Sequence, residues 1–112
     1  DAVRGAGMPD GEYPIDDRVI TIKDGAARLP DGTLAGSTLT FDVAVRNFMA
    51  ATGEPLANIW QATSLNAARN VGVSNRKGSI ELGKDADLIL VDEHINVQLT
   101  MVEGRVVYRE NA

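Results

Sequence analysis

Three features of the sequence predict an α+β fold: a turn-punctuated, β-branched first third, a middle third with apolar residues at helical spacing, and a last third that alternates apolar and polar residues. No run of about 20 apolar residues interrupts this pattern, so no transmembrane helix is expected.

The first third is organised by turns. Met8-Pro9-Asp10-Gly11, Lys23-Asp24-Gly25 and Leu29-Pro30-Asp31-Gly32 carry Pro, Asp and Gly in turn order. Between them, Arg18-Val19-Ile20-Thr21-Ile22-Lys23 is rich in β-branched residues, and Ala26-Ala27-Arg28-Leu29 follows a two-residue Asp-Gly connection. That is a hairpin signal, and residues 12–33 read as a small antiparallel excursion. Leu34-Ala35-Gly36-Ser37 is then a run of small residues connecting the excursion to a helix.

In the middle, Thr40 is placed to cap a helix whose Phe41, Val45, Phe48 and Met49 share a face, and Gly53 stands where a left-handed stop belongs. Pro55 fits the first position of a second helix carrying Leu56, Ile59, Trp60 and Thr63. Asn66 reads as the cap of a third, through Ala67, Ala68 and Val71, ended by Gly72. Helices this short need packing partners to persist.

The last third returns to strands. Ala86-Asp87-Leu88-Ile89-Leu90-Val91 is an apolar run of strand length, followed by the polar corner Asp92-Glu93-His94. Val97 to Val102 alternates, and Glu103-Gly104 turns it into Arg105-Val106-Val107-Tyr108.

Composition removes several function classes. Of the 112 residues, 16 are Asp or Glu against 11 Lys or Arg, a formal charge of −5 that disfavours nucleic acid. With no Cys there is neither a disulfide framework nor a thiolate zinc site. No charged-then-apolar leader opens the chain, and a cytoplasmic location, away from membranes, is expected. The sequence starts at Asp1 without a helix signal and reads as a segment of a longer protein.

Candidate chemistry is sparse. A catalytic metal needs about three protein ligands, and the single His94, in a polar corner, reads as a solvated turn residue. Gly5-Ala6-Gly7 lacks the strand and helix of a dinucleotide loop, and no Gly-x-Ser-x-Gly elbow surrounds Ser37. Glu12, Asp16 and Asp17 read as a solvated face rather than a glycosidase pair. The Leu34–Ser37 run either lets backbone N–H groups approach a ligand or is a tight connection.

Two segments carry a resemblance. Lys77-Gly78-Ser79-Ile80-Glu81-Leu82-Gly83-Lys84-Asp85-Ala86-Asp87-Leu88-Ile89-Leu90-Val91-Asp92 is similar to the C-terminal segment of the amidohydrolase superfamily, and Ser64-Leu65-Asn66-Ala67-Ala68-Arg69-Asn70-Val71-Gly72 resembles the helix before it. Asp1-Ala2, Gly7-Met8-Pro9-Asp10-Gly11-Glu12-Tyr13 and Asp31-Gly32-Thr33-Leu34-Ala35-Gly36-Ser37 narrow the likeness to the N-acetylglucosamine-6-phosphate deacetylase family. One departure is Ala67, where the related segment often has Pro.

The resemblance implies the C-terminal part of a metal-dependent (β/α)8 barrel enzyme plus strands of its small β-sandwich. Residues 1–78, with the excursion at about 12–33 and helices at about 40–72, would end the barrel, and residues 79–112 would supply the sandwich strands. It implies Asp1 as the general base and acid, and Leu34, Ala35 and Gly36 as lining of a sugar-phosphate pocket. It also implies a divalent metal, zinc or iron, whose Glu and two His ligands lie upstream, with none bound by these 112 residues alone. A His that meets the acetyl carbonyl and an Arg lent by a partner subunit, consistent with a homodimer, would lie outside the chain as well. The 112 residues alone are expected to be inactive, and to dimerise or swap elements if they fold. Competing readings are a dihydroorotase- or hydantoinase-like cyclic-amide hydrolase, and a non-catalytic packing module.

Overall fold

The computed structural model describes residues 2–110. By its internal contacts the chain forms two compact units, which divide at Ala44–Val45 within one helix. Its element content is α+β.

The first unit is an antiparallel sheet of four strands in sequence order: β1 (Gly11–Ile15), β2 (Arg18–Lys23), β3 (Ala26–Arg28) and β4 (Leu34–Gly36). Strand alternation builds its core. Ile20 and Ile22 on β2 face inward with Ala27 of β3 and Val3, while Val19, Thr21 and Lys23 face out. Tyr13, Ile15, Leu29 and Ala35 pack around that cluster. Pro14 sits on the edge strand β1, where a missing N–H is tolerated.

The turns follow the chemistry of their residues. Asp24 and Gly25, at φ 51° and 74°, join β2 to β3 as the two-residue connection expected from the sequence. Asp10 Oδ2 accepts the Asp24 N–H at 3.1 Å. Asp16-Asp17 join β1 to β2, so these acids form an exposed turn, away from Glu12 at the other end of β1. The loop before β4 closes when Leu29 N–H donates to Thr33 O at 2.8 Å, and Asp31 Oδ1 accepts the Thr33 N–H at 2.9 Å. That bond holds the Asp31 carboxyl below the usual carboxylate range.

The second unit contains most of helix α1 (Phe41–Thr52), then α2 (Leu56–Trp60) and α3 (Asn66–Asn70), and a sheet of β5 (Leu88–Val91), β6 (Val97–Val102) and β7 (Arg105–Arg109). Val45, Ile59 and Ile95 form its core, with Met49, Leu56 and Val91 packed against them. The apolar face of α1 is only partly covered, because Phe41 and Phe48 stay 65% and 51% exposed.

Two helix expectations are corrected. Pro55 is the residue before α2, extended at φ −72° and ψ 158°, rather than its first helical position. Asn66 caps nothing: it is helical at φ −65° and ψ −40°, because a π-helical turn over Gln61–Leu65 joins α2 to α3 continuously. Thr63 Oγ1 donates to Trp60 O at 2.7 Å and Ser64 Oγ to the same carbonyl at 3.3 Å, which occupies that acceptor where the helix widens. The stops at Gly53 and Gly72 stand as expected, with φ of 73° and 74°.

The β5–β6–β7 sheet is antiparallel, and Glu103-Gly104, both at positive φ, make the expected two-residue turn. Asp87 Oδ1 accepts the Glu103 N–H at 2.8 Å, tying that turn to the preceding loop. At the other corner, the Asp92 carboxylate accepts three hydrogen bonds from His94 N, Asn96 N and Asn96 Nδ2. The tight corner lets Ile95, at φ 62°, enter the core.

Candidate functional site

Three of the residues that the family resemblance singles out, Leu34, Ala35 and Gly36, form β4, an edge strand of the first sheet. Its ladder is short: Ala27 pairs with Gly36 and Arg28 with Leu34, with a register shift between them. Leu34–Gly36 is thus a strand within a segment whose sequence leaves both a ligand-approach run and a tight connection open. Leu-Ala-Gly has little strand propensity, so the sequence did not mark it.

Side chains on β4 divide by alternation. Ala35 packs on the core cluster, whereas Leu34 is 64% exposed on the other face. Gly36 has φ 141°, in the region that favours glycine, so the chain can turn there without a Cβ. Beyond it, Ser37 O accepts the Val3 N–H at 3.0 Å, and Ala2 forms a parallel bridge with Ser37. Ser37 Oγ accepts the Leu39 N–H at 3.0 Å. Thr38 Oγ1 donates to the Gly25 carbonyl at 2.5 Å, across to the β2–β3 turn.

These contacts enclose an open concavity of about 500 Å³, walled by Gly25 and Ala26 of the turn, Leu34 and Gly36 of β4, and residues 37–39. Its polar groups are backbone and the Ser37 and Thr38 hydroxyls, and no carboxylate, imidazole or amine lines it. Such a surface can shape and hydrogen-bond a ligand, but it holds no base or nucleophile activated by one.

Other candidates fall elsewhere. Asp1 lies outside the described residues, although Ala2 beside it in sequence is placed next to Ser37. The His94 side chain is 76% exposed, with Nε2 3.6 Å from Glu93 Oε1. Among the described residues no group of three or more His, Cys, Asp or Glu could hold a metal ion. The residues present therefore do not fit the divalent metal that the resemblance implies. The sequence reading missed Thr38 and its tie to Gly25, a contact between residues 13 apart that no local pattern announces.

A second polar cluster is structural in character. Lys77 Nζ bridges Asp85, at 2.9 Å, and Asp87, while Arg76 also pairs with Asp85 at 2.9 Å. The hydrogen bond from Lys77 is the leading reason that both carboxyls sit below their usual range, and the Asp87 and Asp85 carboxylates raise Lys77.

The amidohydrolase family model matches residues 15–107 of the chain. The chain belongs to the amidohydrolase family. Among related amidohydrolases, the N-acetylglucosamine-6-phosphate deacetylase of Lysinibacillus sphaericus is 40% identical over 99% of this chain. The N-acetylgalactosamine-6-phosphate deacetylase of Escherichia coli is 39% identical over 95% of it. The crystal structure of N-acetylglucosamine-6-phosphate deacetylase from Thermotoga maritima superposes with a TM-score of 0.86, at 44% identity over 98% of this chain and 30% of that one. The chain spans 28% of the length of each of the two curated relatives. Among the described residues no helix is long and apolar enough to cross a membrane.

Proposed function

We propose that this chain is the C-terminal part of a cytoplasmic enzyme that hydrolyses N-acetylglucosamine 6-phosphate to glucosamine 6-phosphate and acetate. The observation that carries the reading is the 44% identity and TM-score of 0.86 to a deacetylase of that substrate over nearly the whole chain. In this reading residues 1–78 end a (β/α)8 barrel and residues 79–112 are strands of a small β-sandwich. That division follows the parent enzyme's domains, whereas the packing of the chain itself divides within α1.

Leu34, Ala35 and Gly36 form the strand beside the sugar-phosphate pocket, where Leu34 presents its side chain and Gly36 a backbone that no Cβ obstructs, while the Ala35 side chain packs on the core. Asp1 is the general base, taking a proton from the attacking water and then giving one to the departing amine. The bridge between Ala2 and Ser37 supports this pairing of roles, since it sets the residue after Asp1 beside the end of β4. In this reading the divalent metal, zinc or iron, is held by ligands in the rest of the parent enzyme, which acts as a homodimer. The 112 residues alone are inactive for the same reason.

The test is acetate release by the full-length protein. N-Acetylglucosamine 6-phosphate is the expected substrate, chelation abolishes turnover, and Asp1→Asn lowers kcat by about 10²- to 10⁴-fold. Preference for N-acetylgalactosamine 6-phosphate would move the assignment to the epimer. Turnover of dihydroorotate or hydantoin without acetate release from either sugar would refute it, as would release of acetate by the 112 residues alone for their inactivity.

A further inference from the structure

The strand that carries Leu34 and Gly36 is poorly held by its own ladder. It has three residues, two partner pairs and a register shift, and it lies at the edge of the sheet. A strand this short gains little from pairing alone. Its C-terminal end is fixed from two sides instead. On one side the Ser37 carbonyl accepts the Val3 N–H. On the other the Thr38 hydroxyl reaches across the concavity to the Gly25 carbonyl, at the second position of the β2–β3 turn.

That turn is itself a firm anchor. Asp24 and Gly25 both occupy the left-handed region, and the Asp24 N–H is held by Asp10. Thr38 is half-buried, and its hydroxyl joins two walls of the same concavity. Losing it would leave Gly36, the most conformationally permissive residue of the strand, held by its pairing with Ala27 and by the neighbouring Val3–Ser37 bond.

We propose that Thr38 is a positioning residue for the substrate-lining strand, acting through the Gly25 carbonyl to fix the backbone at Gly36. The inference rests on the proposed reading that Leu34–Gly36 line the sugar-phosphate pocket. Thr38 touches no reacting atom in this scheme: it sets where Leu34 and Gly36 stand when substrate binds.

The experiment compares Thr38→Val, Thr38→Ala and Thr38→Ser in the full-length protein. Val keeps the shape and removes the donor, Ala removes both, and Ser keeps the donor. Val and Ala are expected to raise KM for N-acetylglucosamine 6-phosphate about three- to tenfold, the range of one net hydrogen bond, with kcat within about twofold. Ser is expected to stay within about twofold of the parent in both. Unchanged KM in Val and Ala overturns the proposal, and so does an equal rise in all three variants, because the hydroxyl would then not be the cause. Amide hydrogen exchange at residues 34–37 is read on the same proteins. Faster exchange in Val and Ala than in Ser supports the tie, and equal exchange in all overturns it. If the parent releases no acetate, the functional reading fails by itself, and the exchange data still decide whether Thr38 holds the strand.

Discussion

Replacing Gly78 by Ala probes how the loop after α3 packs on the helix at its π-helical turn. Gly78 has φ 92°, and a Cβ there would lie 2.6 Å from the Ala68 Cβ, 3.1 Å from the Leu65 Cα and 3.3 Å from the Ser64 carbonyl oxygen. Two costs follow and they can be separated. A left-handed backbone costs a residue with a Cβ about 1–2 kcal/mol. The overlap with Ala68 adds about 1–3 kcal/mol, because backbone at Leu65 and Ser64 blocks retreat on the other sides. The single variant should therefore lose about 2–5 kcal/mol. Ala68→Gly removes the nearest atom at a cost of about 1 kcal/mol in helix propensity, and leaves the φ penalty in place. The double variant should recover about 1–2 kcal/mol relative to the sum of the singles. Local opening is read best by amide hydrogen exchange over residues 65–78 of the full-length protein, since exchange reports each segment's opening without requiring two-state unfolding of the whole. Exchange in Gly78→Ala within about 0.5 kcal/mol of the parent, or strict additivity in the double variant, would refute the close packing of Gly78 on the helix.

Ile20→Ala removes the one large side chain of the first core that is fully buried, and should destabilise that sheet by about 2–5 kcal/mol, read as increased hydrogen exchange on β2 and β3. Tyr13→Phe deletes the 2.6 Å hydrogen bond from the phenol to Pro9 O while keeping the ring, and should cost about 1 kcal/mol in the same assay. The Lys77 cluster should make the β6–β7 turn depend on pH at both extremes. The depressed Asp85 and Asp87 contribute fully above about pH 3.9 and lose their contribution as pH falls through their lowered values. The raised Lys77 contributes fully below about pH 10.4 and loses it as pH rises through its folded value. Protection of the Glu103 amide should thus be flat between about pH 4 and 10 and fall outside that window, and Lys77→Met should weaken it within the window; an unchanged Glu103 amide in Lys77→Met would show that the cluster does not hold the turn.

What the sequence made legible was whatever a residue's own backbone chemistry dictates. Asp24-Gly25 and Glu103-Gly104 must supply positive φ, Gly53 and Gly72 end helices for the same reason, and β2 shows its buried face in the alternation of Ile20 and Ile22. What stayed hidden depends on contacts that residue type alone does not announce. Asn66 has the composition of a cap, yet the bonds of Thr63 and Ser64 to Trp60 accompany a widened, unbroken turn that carries the helix past it. Strand β4 has no β-branched residues to announce it, and it forms because β3 offers a ladder partner and the segment at Ala2 and Val3 pairs with Ser37 just beyond it. Asp1, Leu34, Ala35 and Gly36 gained their suggested roles from family resemblance. The structure divides the last three by face, Ala35 to the core and the other two to the concavity.

That division bears on which kinetic constant each part of the chain controls. The concavity is lined by backbone, aliphatic groups and hydroxyls, with no group that titrates between about pH 4 and 10. Changes along β4 can therefore alter the shape of the concavity, but they have no proton to give or take. Under the proposed function, Leu34→Ala should raise KM and leave the pH profile of kcat in place, whereas Asp1→Asn should lower kcat and remove the limb of the profile that its carboxylate sets. A Leu34 variant that shifted that limb would mean that β4 perturbs the proton-transfer group itself. The separation of binding on β4 from proton transfer at Asp1 would then fail.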